Sequence, residues 1–159
     1  MTRRWIAVGA VAALFAIPVT VSGADGDYAL VMVWGLVDLG STGPGGVHVY
    51  PIWRYLAEHP IGFEALPASI RAWPVGLGFH VLALASATLG ATIDREDRRV
   101  TGGLLVLAGL ASFSVTFGIA TRTGGFGGSS TVLLPVGAVL TWGAAVALYG
   151  SDLRGLLGR

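Results

Sequence analysis

The chain has 159 residues, 53% hydrophobic and only 12% charged, about half the roughly 25% charged of an ordinary soluble domain. Every one of the 10 basic residues is Arg, the net charge is +1, and Lys, Asn, Gln and Cys are absent. That excludes disulfide frameworks, thiolate metal sites and Cys nucleophiles, leaves no basic footprint for nucleic acid, and points to an integral membrane protein.

Four stretches carry no formal charge and are long enough to cross a hydrocarbon core of roughly 30 Å, which takes about 20 helical residues. They are residues 5–22, 74–93, 100–121 and 131–150. The first follows Arg3 and Arg4 and has two readings. A positive start, an apolar core over 6–21 and the small-residue tail Ser22-Gly23-Ala24 fit a cleavable export signal. The later spans already fix the chain in a bilayer, so a retained membrane anchor is the expectation.

Residues 23–73 form a long loop. The run YALVMVWGLV at 28–37 is too short to span and suits a re-entrant, interfacial or strand-like segment. GSTGPGG at 40–46 breaks regular structure. Residues 49–57, with Tyr50, Trp53, Tyr55 and Leu56, are predicted to form a short amphipathic helix on the outer membrane surface.

Pro74 opens the second span where a missing N–H costs nothing, while Pro18 and Pro135 read as tolerable kinks near segment ends. In the turn 94–99, Arg95 meets the negative end of the second helix, and Glu96 and Asp97 precede the third, where anions are favoured. The turn reads as solvated, with Arg98 and Arg99 reaching lipid phosphates. TGGFGGSS at 123–130 lacks the lysine of a phosphate loop and reads as a flexible outer turn.

Seven Arg (3, 4, 95, 98, 99, 154 and 159) fall on one side of this threading and three (54, 71 and 122) on the other. The positive-inside bias puts both termini in the cytoplasm and the loop 23–73 outside. Trp53 and Trp73 are expected in the outer aromatic belt, and Trp5 and Tyr149 in the inner one. Small residues four apart (Gly9 and Ala13; Ala83, Ala87 and Ala91; Ser86 and Gly90; Ser114 and Gly118; Gly143 and Ala147) give helix faces that allow close packing.

His80 is the only ionisable side chain inside a span, and it is the one candidate cofactor- or ligand-binding residue. The competing reading is a neutral ring bonded to a hydroxyl or carbonyl of a neighbouring helix. A transmembrane haem would need a second His in a span, and none exists. His48, Glu58, His59 and Glu64 share the outer loop, but their spacing matches no metal motif. No metal and no cofactor are expected. No acid, base and nucleophile converge, so no catalytic residue is named, and spans without Asp or Glu disfavour ion-coupled transport.

The strings LPASIRAWPVGLGFHVLALASATLG (66–90), EDRRVTGGLLVLAGL (96–110) and LPVGAVLTWGAAVALY (134–149) occur in order. Over 66–149 the chain resembles a family of small four-span membrane proteins of halophilic archaea. The resemblance implies a multi-pass protein of the cell membrane, and it carries over no activity or catalytic residue. It also implies that Ala72-Trp73-Pro74, Asp97-Arg98-Arg99 and Leu134-Pro135-Val136-Gly137 mark helix entries and exits.

The expectation is therefore an all-α, four-helix transmembrane bundle, one membrane domain over 1–159. Its predicted role is a non-enzymatic accessory or scaffold subunit. Its partners are membrane lipids and another membrane protein, or itself, met through small-residue helix faces, with no nucleic acid. The alternative is a small permease, or a lipid- or quinone-binding protein with a site near His80.

Overall fold

The computed structural model describes residues 2–24, 27–40, 46–58, 62–123, 125–127 and 131–157. The elements are α1 (Thr2–Ala13), β1 (Pro18–Ala24), β2 (Asp27–Met32), β3 (Gly35–Asp38), β4 (His48–Pro51), α2 (Ile52–Glu58), α3 (Ala68–Arg71), α4 (Trp73–Thr92), α5 (Arg98–Thr123), β5 (Thr131–Leu134) and α6 (Val136–Leu157). Single 3-10 turns lie at Leu14–Ala16 and Phe63–Ala65. Five strands form one antiparallel sheet in the order β4-β3-β2-β1-β5. The all-α four-helix bundle is thus incorrect: helices and an antiparallel sheet share the fold.

Two prolines explain most of the correction. Proline disfavours the helical conformation of the residue before it, and Ile17, before Pro18, is extended at φ −96° and ψ 131°. Val19, Thr20 and Val21 follow, all β-branched and suited to a strand. The first segment is therefore not a helical span over 5–22. It is about 24 Å of helix, short of a hydrocarbon core, followed by β1. At the other proline, residues 131–134 are strand and the last helix starts only at Val136, just past Pro135. The run 28–37 takes its strand-like alternative as the β2–β3 hairpin. Helix α2 overlaps the predicted amphipathic stretch 49–57 but begins at Ile52, after β4, and ends at Glu58. Most of GSTGPGG and half of TGGFGGSS lie outside the described residues.

Among the described residues three helices are long and apolar enough to cross a membrane: 68–92, 98–122 and 136–155, with mean hydropathies of 1.5, 2.0 and 1.3. Helix α5 is packed between α4 and α6, and α1 lies on α4. Small residues fill the contacts. Ala83, Ala87, Leu105, Ala108, Ala138 and Ala145 are buried, while Val81, Leu82, Leu89, Leu110, Phe117, Val139 and Val146 are exposed. Gly102 is needed on α5 because a Cβ there would stand 2.8 Å from Tyr149 Cβ of α6, and Gly109 would similarly strike the Trp142 indole. Ala7, Val11 and Leu14 of α1 join Ala83, Leu105, Ala145 and Tyr149 in one core.

The sheet lies where α1 and α5 end and α4 and α6 begin. Between Pro18 and Thr20 the β1 register shifts, and this bulge turns the consecutive residues Val19 and Thr20 both inward, at 2% and 0% exposure. Thr20 Oγ1 meets Thr116 Oγ1 of α5 at 2.5 Å, and Thr116 in turn donates to the Ser112 carbonyl at 3.2 Å. Trp34, in the β2–β3 turn, donates to the Phe15 carbonyl at 3.0 Å, satisfying an acceptor left open where α1 stops. Trp73 donates to the Met32 carbonyl at 3.0 Å, and its ring packs with Val31, Ile52 and Val115. The opposite face of the sheet carries an aliphatic row across all five strands: Leu134, Val21, Leu30, Val37 and Val49.

Candidate functional site

His80 lies two turns into α4 and is 1% exposed. Its Nδ1 is 2.8 Å from the Gly76 carbonyl one turn earlier, and its Nε2 faces Thr141 Oγ1 of α6 at 3.4 Å. A carbonyl only accepts, so Nδ1 carries the proton and Nε2 is left as the acceptor for the Thr141 hydroxyl. The Phe15 ring stands edge-on at 5.9 Å. The hydroxyl partner is on a neighbouring helix, and the carbonyl is on the histidine's own. Around Gly76, a crevice lined by Val19, Val33, Trp73, Leu77 and Val115 is too narrow for water.

The described members of the set His48, Glu58, His59 and Glu64 do not converge. His48 stacks on Tyr50 in the edge strand β4, with centroids 6.4 Å apart. Glu58 pairs with Arg54 at 2.9 Å, and Glu64 with Arg71 at 3.4 Å. His59 lies outside the described residues. Among the described residues no three His, Asp or Glu side chains are placed to hold a metal ion.

The most developed polar arrangement is at the other end, and the sequence reading missed it. Helix α4 stops at Thr92, and Asp94, at φ 62°, turns the chain back. Asp97 then caps α5: its Oδ1 accepts the N–H groups of Arg99 at 3.1 Å and Val100 at 3.3 Å. Glu96 lies directly against Gly90, where any Cβ would overlap it, and its side chain is only 4% exposed. It accepts the Tyr149 hydroxyl at 2.8 Å and lies 3.8 Å from Arg98 Nη1. Arg98 also donates Nε to Asp152 at 2.9 Å and Nη2 to the Leu148 carbonyl, and its guanidinium sits 5.0 Å over the Tyr149 ring. Arg4 of α1 pairs with Asp94.

One guanidinium therefore ties the first turn of α5 to the last turns of α6. Arg98 is engaged inward rather than facing lipid. Tyr149, expected in the inner aromatic belt, is 0% exposed, and Trp73, expected in the outer one, is 4% exposed. Trp5 and Trp53 are exposed. The available signal was the pairing of Glu96-Asp97-Arg98 in a short turn with Tyr149 and Asp152, three apart on the last helix at the same end.

Against known families, residues 1–159 match the model described as a domain of unknown function (DUF8050), and the chain belongs to that family. No curated protein matches it.

Proposed function

We propose that this member of the family is a multi-pass membrane protein that serves as a non-enzymatic accessory or scaffold subunit. One observation carries the membrane reading. In the three long helices only 28–44% of each most apolar window is buried; the large exposed side chains there are Val, Leu and Phe, while Ala83, Ala87, Ala108, Ala138 and Ala145 are inside. Water would oppose that arrangement, whereas lipid tails accept it, because close approach of small residues is what joins helices there. The likeness to four-span haloarchaeal proteins agrees with it and extends it to the cell membrane of an archaeon. In this reading the sheet is outside and the arginine-rich end is cytoplasmic.

The scaffold role draws on what the fold leaves uncovered. Ala83 and Ala87 are buried among the helices and Gly90 lies against Glu96, but Gly143 and Ala147 on α6 and Gly9 and Ala13 on α1 face outward. With the aliphatic row of the sheet, these are surfaces suited to another membrane protein or a second copy. The permease, or lipid- or quinone-site, alternative draws less support. Both ring nitrogens of His80 face partners, and the crevice around Gly76 has no room.

The test has two stages. The chain is expected to stay with membranes through alkaline carbonate washing, and release into the wash contradicts the membrane reading. In mild detergent the particle is expected to exceed one 16.3 kDa chain plus its micelle. Gly143→Leu should lower its mass to that of a monomer. A strictly monomeric wild-type particle with nothing co-purifying contradicts the scaffold role.

A further inference from the structure

The arginine-rich end holds an open concavity of about 550 Å³ lined by Arg95, Glu96, Asp97, Arg98, Arg99 and Asp152. Its acidic members already have assignments. Glu96 takes the Tyr149 hydroxyl, Asp152 takes Arg98, and Asp97 caps α5. Arg98 is spent on Asp152, the Leu148 carbonyl and the Tyr149 ring. Two guanidiniums remain on the rim, Arg95 and Arg99, both exposed and without an ion pair among the described residues. Arg99 reaches across to Gly155, where a Cβ would be 3.9 Å from its Nη2, and Arg154 beside it has no ion pair among the described residues either. Arg95 and Arg99 thus line the space beside Arg98, whose own donors are engaged.

We infer that this concavity binds a phosphate group, with Arg95 and Arg99 as its direct ligands and Arg154 adding charge. A guanidinium presents paired N–H donors that match two phosphate oxygens, and the planar fork holds them in fixed geometry. The concavity sits at the polar end of helices whose sides expose large apolar residues. On the membrane reading, on which this inference rests, the phosphate is that of an anionic phospholipid. Free phosphate shares the chemistry, and the experiment separates the two.

Full-length protein is purified in a neutral detergent, and the probes are phosphatidylglycerol, phosphatidylcholine and inorganic phosphate. Bound lipid is counted by native mass spectrometry, and thermal unfolding is followed in parallel. Wild type is expected to retain phosphatidylglycerol over phosphatidylcholine. The double variant Arg95→Ala/Arg99→Ala should lose that preference by about tenfold or more, each guanidinium near an anionic surface being worth about fivefold. Both side chains are exposed and unpaired, so its unfolding temperature without lipid should stay at the wild-type value. Arg122→Ala, at the opposite end, should keep the preference. Stabilisation by inorganic phosphate, lost in the double variant, would assign the same site to free phosphate. Equal retention of the two lipids with no response to phosphate overturns the inference, as does an unchanged preference in the double variant. A protein that needs no detergent to stay in solution overturns the membrane reading instead.

Discussion

The two ends of the helix layer are closed by different chemistry. At one end a five-stranded sheet supplies the closure. Its main-chain ladders do most of the joining, and one bulge turns Val19 and Thr20 against the helices. At the other, the described residues form no sheet and the closure is ionic. Arg98, Glu96, Tyr149 and Asp152 bind α5 to α6, and Arg4 and Asp94 bind α1 to the turn. Backbone ladders are shared over many residues and tolerate a single substitution. A buried carboxylate held by two side chains does not, so the arginine-rich end should be the more fragile under mutation.

The sharpest test of that contrast is Arg98→Ala. It leaves the Glu96 carboxylate, 4% exposed, without its cation and frees Asp152 and the Leu148 carbonyl. The expected loss is about 3 kcal/mol in unfolding free energy, measured by denaturant titration in detergent. A loss below about 1 kcal/mol would show that charge does not close this end. Gly102→Leu comes next. It drives a side chain into Tyr149, and overpacking of this kind costs about 1–3 kcal/mol, readable as a lower unfolding temperature. Thr20→Val at the sheet end should cost about 1 kcal/mol, because Thr116 keeps its bond to the Ser112 carbonyl. If Thr20→Val costs as much as Arg98→Ala, the contrast between the ends fails.

The smallest expected effect is alkaline. Burial raises the phenol of Tyr55 above its ordinary value of 10.0. The fold therefore favours the protonated form. That contribution is whole below pH 10 and is lost as the pH rises through the folded value. Tyr55→Phe should flatten this alkaline decline in unfolding temperature, and an unchanged slope would remove Tyr55 as its source.

The helical part of the fold was largely legible. Spans 74–93 and 100–121 stand within two residues of α4 and α5 at each end, because uncharged apolar runs of about 20 residues are too long for a strand. The sheet was not, since its strands hide in apolar sequence. Thr131–Leu134 merges with the helix behind it, and Pro18–Ala24 with the helix before it. Pro18 and Pro135 were the boundary signals in both places, and reading them as kinks gave four spans where the fold has three long helices. At His80 the ring meets a hydroxyl of a neighbouring helix and a carbonyl of its own, a pairing within one helix turn that spacing alone does not single out. The arrangement at Glu96 and Arg98 left only the signal of complementary groups at the same end, because it joins residues more than 50 positions apart in the chain.

The central claim is that the chain lies in a membrane with its sheet outside and its arginine-rich end inside. The absence of Cys makes single-cysteine labelling direct. Tyr28→Cys on the sheet and Ser151→Cys at the arginine-rich end are both exposed positions. In intact cells a membrane-impermeant maleimide should modify Tyr28→Cys and leave Ser151→Cys untouched until the cells are opened. Modification of Ser151→Cys in intact cells, or of neither position until lysis, would contradict the account.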